Sequence, residues 1–251
     1  MNDESMQRPW KTFSMAVRGE RHRQMGMLCQ DRVFAGEAGE RQVILLADGI
    51  FQNNIGILGI EQVLEEAGET CLRFKGSLIR DHALLKADLV NSFIGVIERV
   101  AAEYEEERHT FASTLLLVCL DRMEGSFFTA QLGNGGILIR RKGGEDYDKI
   151  PCLHALLAGE KTFVTTSPDP SSCMEIRYDR IGDIREFLLY SDGYDTIAAR
   201  KDSMGRLAVL SREMNLHVRG LDDRSLIGIY RDEPSGHEAG SETGRRHRDD
   251  E

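Results

Sequence analysis

Two apolar runs in this chain end on the same dipeptide. Val43-Ile44-Leu45-Leu46-Ala47 runs into Asp48-Gly49, and Phe187-Leu188-Leu189-Tyr190-Ser191 runs into Asp192-Gly193. A short unbroken apolar run bounded by turn residues reads as a buried strand, and Asp-Gly behind it reads as a sharp turn. A third acidic site, Asp222-Asp223, stands just before the run Leu226-Ile227-Gly228-Ile229-Tyr230. Each acid therefore lies at the edge of a buried strand. Taken singly, an Asp-Gly is a plain turn; two of them after apolar strands, with an Asp-Asp before a third, carry more. Carboxylates gathered at one end of a sheet repel each other unless a cation lies between them. Oxygen-only donors suit a hard divalent ion such as Mg2+ or Mn2+, which keeps several waters and takes few carboxylates. The glycine after Asp48 and after Asp192 lets the backbone turn and its carbonyl approach a ligand.

The rest of the pattern frames these ends. Strands are predicted over 10–17, 32–35 and 43–47. A helical zone follows, with Ile55, Leu58, Ile60, Val63 and Leu64 at near-helical spacing. A second helix is predicted over 84–106, with Leu85, Leu89, Phe93, Val96, Ile97 and Val100 on one face; its charged end, 103–108, reads as solvated. Strands return at 113–120, 126–132 and 136–141. Gly133-Asn134-Gly135-Gly136 reads as a tight turn that makes 126–141 a hairpin. Further strands are predicted at 163–166, 174–178, 186–190 and 226–230, and helices at 195–199 and 207–216. Residues 233–251 lack apolar periodicity and are expected to form a disordered tail. Residues 1–11 are polar and carry both charge signs, and are expected to be flexible. One domain is left, 12–232. Its order is not alternating βα, which points to an α+β fold: two mostly antiparallel sheets face to face, with helices packed on the outer faces.

Composition narrows the function. The apolar share of 41% is enough for a real core, and the formal charge of −10 argues against a nucleic-acid binder or a binder of anionic membranes. No apolar run reaches the roughly 18 residues that a membrane helix needs, and no signal peptide is visible. The five cysteines, Cys29, Cys71, Cys119, Cys152 and Cys173, form no Cys-x-x-Cys pair. That points to a reducing, cytoplasmic setting and against a zinc knuckle, with Cys119 as a core filler. The histidines lack metal spacing, so a histidine-zinc hydrolase is not expected. Cys29 is followed by no Cys-x5-Arg loop, which argues against a thiolate nucleophile.

The ordered segments Gly19…Cys29-Gln30-Asp31, Leu46-Ala47-Asp48-Gly49, Phe111-Ala112-Ser113-Thr114-Leu115, Leu132-Gly133-Asn134-Gly135, Tyr190-Ser191-Asp192-Gly193 and Asp222-Asp223-Arg224-Ser225 resemble the type 2C metal-dependent serine/threonine protein phosphatases of bacterial type, over roughly residues 12–231. The resemblance implies a two-metal site for Mn2+ or Mg2+. Asp48 would bridge both ions with the Gly49 carbonyl on one. Asp192 and Asp222 would complete the other. Gln30 stands where many members carry Glu, and Asp31 beside it would act behind the direct ligands. Asp222 rather than Asp223 is expected to be the ligand, because Ser225 matches the Ser or Thr three positions after the family's metal-binding Asp. The implied reaction is hydrolysis of phosphoserine or phosphothreonine in a protein substrate by a metal-activated water, opposing a serine/threonine kinase in signalling. Three departures stand out. Residues 50–54 are not glycine-rich. Asn134 replaces an Asp. Gly26 holds the place of the arginine that usually binds substrate phosphate, leaving Arg21, His22 or Arg23 as substitutes. These departures keep a second implication open: a member of the fold with little catalysis, acting as a binding or regulatory module.

Overall fold

The computed structural model describes residues 9–50, 54–144, 146–152, 162–194 and 222–232. Within them, strands β1 Lys11–Val17, β2 Arg32–Ala38, β3 Arg41–Ala47, β4 Leu115–Asp121, β5 Ser126–Leu132, β6 Gly136–Arg141, β7 Tyr147–Lys149, β8 Glu175–Arg180, β9 Ile184–Tyr190 and β10 Arg224–Tyr230 build two sheets. One runs β1-β10-β9-β6-β7 and the other β2-β3-β4-β5-β8, with every pairing antiparallel. The helices are α1 Glu20–Gln24, α2 Asn54–Arg73, α3 His82–Glu103 and α4 Pro170–Cys173. This is the expected α+β sandwich.

The unbroken apolar runs have a physical reason. A strand covered on both faces needs apolar residues at odd and even positions alike. In β3, Val43, Leu45 and Ala47 join a core with Ile60, Val63 and Leu64 of α2 and Leu89, Phe93 and Val100 of α3. Ile44 and Leu46 point the other way, into a core between the sheets with Phe187, Leu189, Ile227 and Ile229. Truncating Leu45, which has no exposed surface, to alanine would cost about 2–5 kcal/mol. In α3, Leu85, Leu89, Phe93, Val96, Ile97 and Val100 are all buried, as their spacing requires, and the charged residues 103–108 beyond them are exposed. Cys119 is wholly buried, as expected.

Four readings change. Residues 126–141 are not a hairpin: β5 pairs with β4 and β8, whereas β6 pairs with β7 and β9 in the opposite sheet. Gly133 and Gly135, at φ 100° and 83°, redirect the chain from one sheet to the other. Alternation within a strand says nothing about which sheet it joins. Residues 163–166 are not a strand; the segment turns, with the Ser167 N–H donating to the Val164 carbonyl and the Thr165 N–H to that of Ser113. The short α1 and β7 were not foreseen, since neither is long enough to show a period. Trp10, inside the 1–11 stretch expected to be flexible, is buried, with the Arg231 guanidinium 5.0 Å from its ring. The predicted helices at 195–199 and 207–216 and the tail from 233 lie outside the described residues.

Candidate metal centre

Strand register gathers the acids. Arg32 pairs with Ala47, so Asp31 and Asp48 leave neighbouring strands at the same end. Leu226 and Gly136 both pair with Tyr190, so Asp222-Asp223 and Asn134 arrive beside Asp192. Packing the two sheets brings these ends together.

Asp48 is held by its backbone. Its N–H donates to the Thr114 hydroxyl and its carbonyl accepts from the Thr114 N–H, each at 2.9 Å. The Gly49 N–H donates to the Gln30 carbonyl at 3.3 Å. The carboxyl of Asp48 is thereby left for other work. Its pKa is raised well above the usual carboxylate range, first by burial and then by the charges of Asp31, Asp192 and Asp222. Asp31 is 1% exposed, and its pKa is pushed up to about 6, again first by burial. The Asp48 carboxyl and the Ser191 and Ser225 hydroxyls are its polar neighbours, yet no donor reaches either oxygen in hydrogen-bonding geometry. The Gln30 side chain donates to the Leu28 carbonyl at 3.0 Å, while its own oxygen is buried without a partner.

The acid pair before β10 splits cleanly. Asp222 is exposed. Asp223 is buried and accepts from the Gly19 N–H at 2.6 Å and the Gln30 N–H at 2.5 Å; His22 Nδ1 lies 2.8 Å from the same carboxylate. Gly19 is pressed so closely on the Asp222-Asp223 backbone that a Cβ there would stand 2.5 Å from the Asp222 carbonyl oxygen. Asp223 thus ties the loop that carries Gln30 and Asp31 to the start of β10. Sequence reasoning missed this tie, and it also missed the brace from Thr114. Gly19 and Thr114 each stood inside a recognised segment and His22 was a phosphate-binding candidate, but nothing in the local pattern shows that Gly19 and His22 meet Asp223 or that Thr114 meets Asp48.

The phosphate-reading candidates diverge. Arg21 and Arg23 are exposed on α1, with Arg23 3.4 Å from Glu20. His22 faces inward onto Asp223. Gly26 takes φ 68° just past α1, a left-handed bend where an arginine would be strained. Asn134 donates to the Asp192 carboxylate at 2.6 Å. Cys29 has its thiol pKa pushed up to about 12 by burial and then by the charges of Asp31 and Asp223, so it stays protonated and is no nucleophile.

Among the described residues, no set of three or more His, Cys, Asp or Glu side chains is arranged to hold an ion as it stands. The donor chemistry nonetheless fits a hard divalent cation: every candidate is an oxygen, Asp31 has two buried oxygens with no donor in hydrogen-bonding geometry, and the Asp48 pKa is raised by burial and then by its neighbours' charge.

The sequence profile of the family described as protein phosphatase 2C matches residues 18–222. The chain belongs to that family. No curated protein sequence matches it. Among solved structures, it is similar to a serine/threonine phosphatase of S. agalactiae, with a TM-score of 0.66 and 15% identity over 89% of this chain and 100% of the other. It is also similar to RsbX in complex with magnesium, with a TM-score of 0.54 and 11% identity over 89% and 96%. The RsbU and RsbW domains of a Mycobacterium tuberculosis protein align with a TM-score of 0.58 and 14% identity over 91% of this chain and 63% of that one. At these identities the likeness carries the phosphatase 2C fold alone. No helix among the described residues is long and apolar enough to cross a membrane.

Proposed function

We propose that this protein is a cytoplasmic, metal-dependent phosphoserine/phosphothreonine protein phosphatase that opposes a serine/threonine kinase. The observation that carries the reading is the crowding of Asp31, Asp48, Asp192 and Asp222 at one end of the sandwich, where burial and mutual charge keep Asp48 and Asp31 from ionising freely. Asp48, the Gly49 carbonyl, Asp192 and Asp222 would hold two Mn2+ or Mg2+ ions, with Gln30 and Asp31 behind them. Such ions supply a water of lowered pKa and positive charge for the phosphoryl oxygens. Asp31, without a donor on either oxygen, can accept from a water at the centre and hold its proton. Thr114 fixes the angle at which Asp48 faces the centre. Arg32, the cation nearest in sequence, is taken up by Glu61 and the Cys29 carbonyl, which leaves the exposed Arg21 and Arg23 as candidates to meet a substrate phosphate. Cys29, held as a thiol, takes no part.

A second reading has one observation in its favour. Asn134 occupies an oxygen of Asp192, and Gly26 leaves the usual arginine position without a side chain. Both fit a weakly catalytic member that acts by binding.

Hydrolysis of p-nitrophenyl phosphate and of a phosphothreonine peptide, with and without Mn2+, separates the two. The phosphatase reading expects turnover with Mn2+ that a chelator abolishes. It also expects Asp48→Asn to lower turnover at least ~100-fold while the domain stays folded by circular dichroism. Metal-independent turnover, or near-native turnover of Asp48→Asn, would sink it.

A further inference from the structure

Nine large apolar side chains are exposed among the described residues, and five of them, Met25, Leu28, Ile50, Ile55 and Leu58, fall within one stretch of 34 positions that also carries Gln30, Asp31 and Asp48. Hydrogen bonds draw the segments that carry four of them, Leu28, Ile50, Ile55 and Leu58, to one rim. Ile50 follows Asp48-Gly49 directly, and Leu28 precedes Gln30 by two residues. The Gly49 N–H on the Gln30 carbonyl joins those two segments. The Leu28 N–H donates to the Asn54 side chain at 3.2 Å, which brings the first turn of α2 alongside. Arg32 reaches Glu61 at 2.6 Å and holds the outer flank of that helix against the same loop. Ile55 and Leu58, one turn apart, lie on this outer flank, away from the buried Ile57, Ile60 and Leu64. Each of the five is 38–53% exposed. The apolar shelf on this rim thus borders the acids Asp31 and Asp48 on a chain whose residues are 29% charged.

We infer that this shelf is the docking surface for the substrate's polypeptide, and that it selects phosphorylated segments with a large aliphatic or aromatic residue within a few positions of the phosphorylated one. The inference rests on the phosphatase reading for its geometry. A phosphorylated side chain that reaches the Asp48 cluster draws its own backbone across the rim made by Leu28 and Ile50. At roughly 3.3 Å per residue of extended chain, neighbours one to three positions away lie over Ile50, Ile55 and Leu58. Leu28 is fixed by the Asn54 bond and Ile55 and Leu58 by a helix, so the shelf is preformed and binding costs little ordering. One substrate side chain seated there removes apolar area that corresponds to about tenfold in affinity or more.

The test uses two fluorescent peptides that differ only in the residues flanking the phosphorylated position, Leu and Phe in one and Ser and Asn in the other. Each is made with phosphothreonine for turnover and with a non-hydrolysable phosphonate for binding. The full chain with Mn2+ is expected to bind the apolar-flanked phosphonate at least about tenfold more tightly and to show a similar ratio in kcat/KM. Ile55→Glu with Leu58→Glu, both at exposed positions, is expected to bring the ratio below about threefold. Equal affinity for the two peptides overturns the inference, as does a ratio unchanged in the variant. So does a dimer, seen by sedimentation, that the variant dissolves without any peptide preference in the monomer. Failure to hydrolyse p-nitrophenyl phosphate with Mn2+ counts against the phosphatase reading instead; a binding ratio lost in the variant then still upholds the shelf.

Discussion

Asp31 and Asp223 are both buried carboxylates, 1% and 3% exposed, and they sit in opposite situations. Asp223 has two backbone donors and His22 around it. Asp31 has no donor in hydrogen-bonding geometry on either oxygen, and four acids, Asp48, Asp223, Asp192 and Asp222, act on its carboxyl or on that of its neighbour Asp48. A buried carboxylate satisfied by the chain itself holds the chain in place. A buried carboxylate left unsatisfied disfavours its own charged form, and that penalty is relieved only by a proton or by a cation from outside. The contrast divides the centre into a part that builds the fold and a part that receives a ligand.

The most damaging way to probe the contrast is Asp223→Ala. It would leave the Gly19 and Gln30 N–H groups without an acceptor inside the protein, and loss of a buried, hydrogen-bonded carboxylate costs about 3–5 kcal/mol. Urea denaturation should show that loss with or without Mn2+. Asp31→Asn should instead leave the metal-free protein as stable or more so. Reversed signs would erase the division between the two acids.

Next in size is a pH effect specific to Asp31. The folded chain keeps a proton on this carboxyl up to about pH 6, whereas the unfolded chain releases it near the ordinary value of 3.8. Between those values the folded state binds more protons, so the metal-free protein loses stability as pH rises through that window. The contribution is present below pH 3.8 and gone above pH 6. Its size is on the order of 3 kcal/mol at most, shared with Asp48, whose pKa is raised in the same direction. Melting temperatures of chelator-treated protein should fall from pH 4 to pH 6.5 relative to Asp31→Asn. Saturating Mn2+ should remove the difference by supplying the missing charge. A parallel pH profile in the two proteins would place the perturbed proton elsewhere.

These two acids also mark what the sequence can and cannot disclose. Asp48 and Asp192 were legible because each ends an apolar run, and a strand buried on both faces writes its whole length in Val, Ile and Leu. The register that brings them together was not legible. Pairing such as Arg32 with Ala47 depends on long-range packing, and the glycine bends at 133 and 135 sent β6 to a sheet that alternation could not name. Asp222 and Asp223 were distinguished through resemblance, with strand alternation consistent with it, whereas the structure separates them by exposure and by donors. The tie from His22 and Gly19 to Asp223 spans about two hundred residues and leaves no local trace.

The smallest expected effect sharpens the contrast at its edge. Asn134 donates to Asp192 at 2.6 Å, so one carboxylate of the receiving part is partly satisfied by the chain, midway between the situations of Asp31 and Asp223. Asn134→Asp would remove that donor and add a negative charge beside Asp192. Without metal, the two carboxylates would repel, lowering stability by about 1 kcal/mol or less at a partly exposed site. With metal, the added oxygen donor and charge should favour the ion. The concentration of Mn2+ giving half-maximal protection in thermal unfolding should then drop about threefold to tenfold, and the half-maximal Mn2+ for p-nitrophenyl phosphate hydrolysis should move with it. The conservative control is Asn134→Ser, which removes most of the donor reach without adding charge. It should destabilise neither form by more than a few tenths of a kcal/mol and should shift the Mn2+ requirement less than the aspartate does. If Asn134→Asp leaves the Mn2+ requirement where it was, or raises it, then the Asn134–Asp192 bond is part of the fold-building set, and Asp192 belongs with Asp223 and not with Asp31.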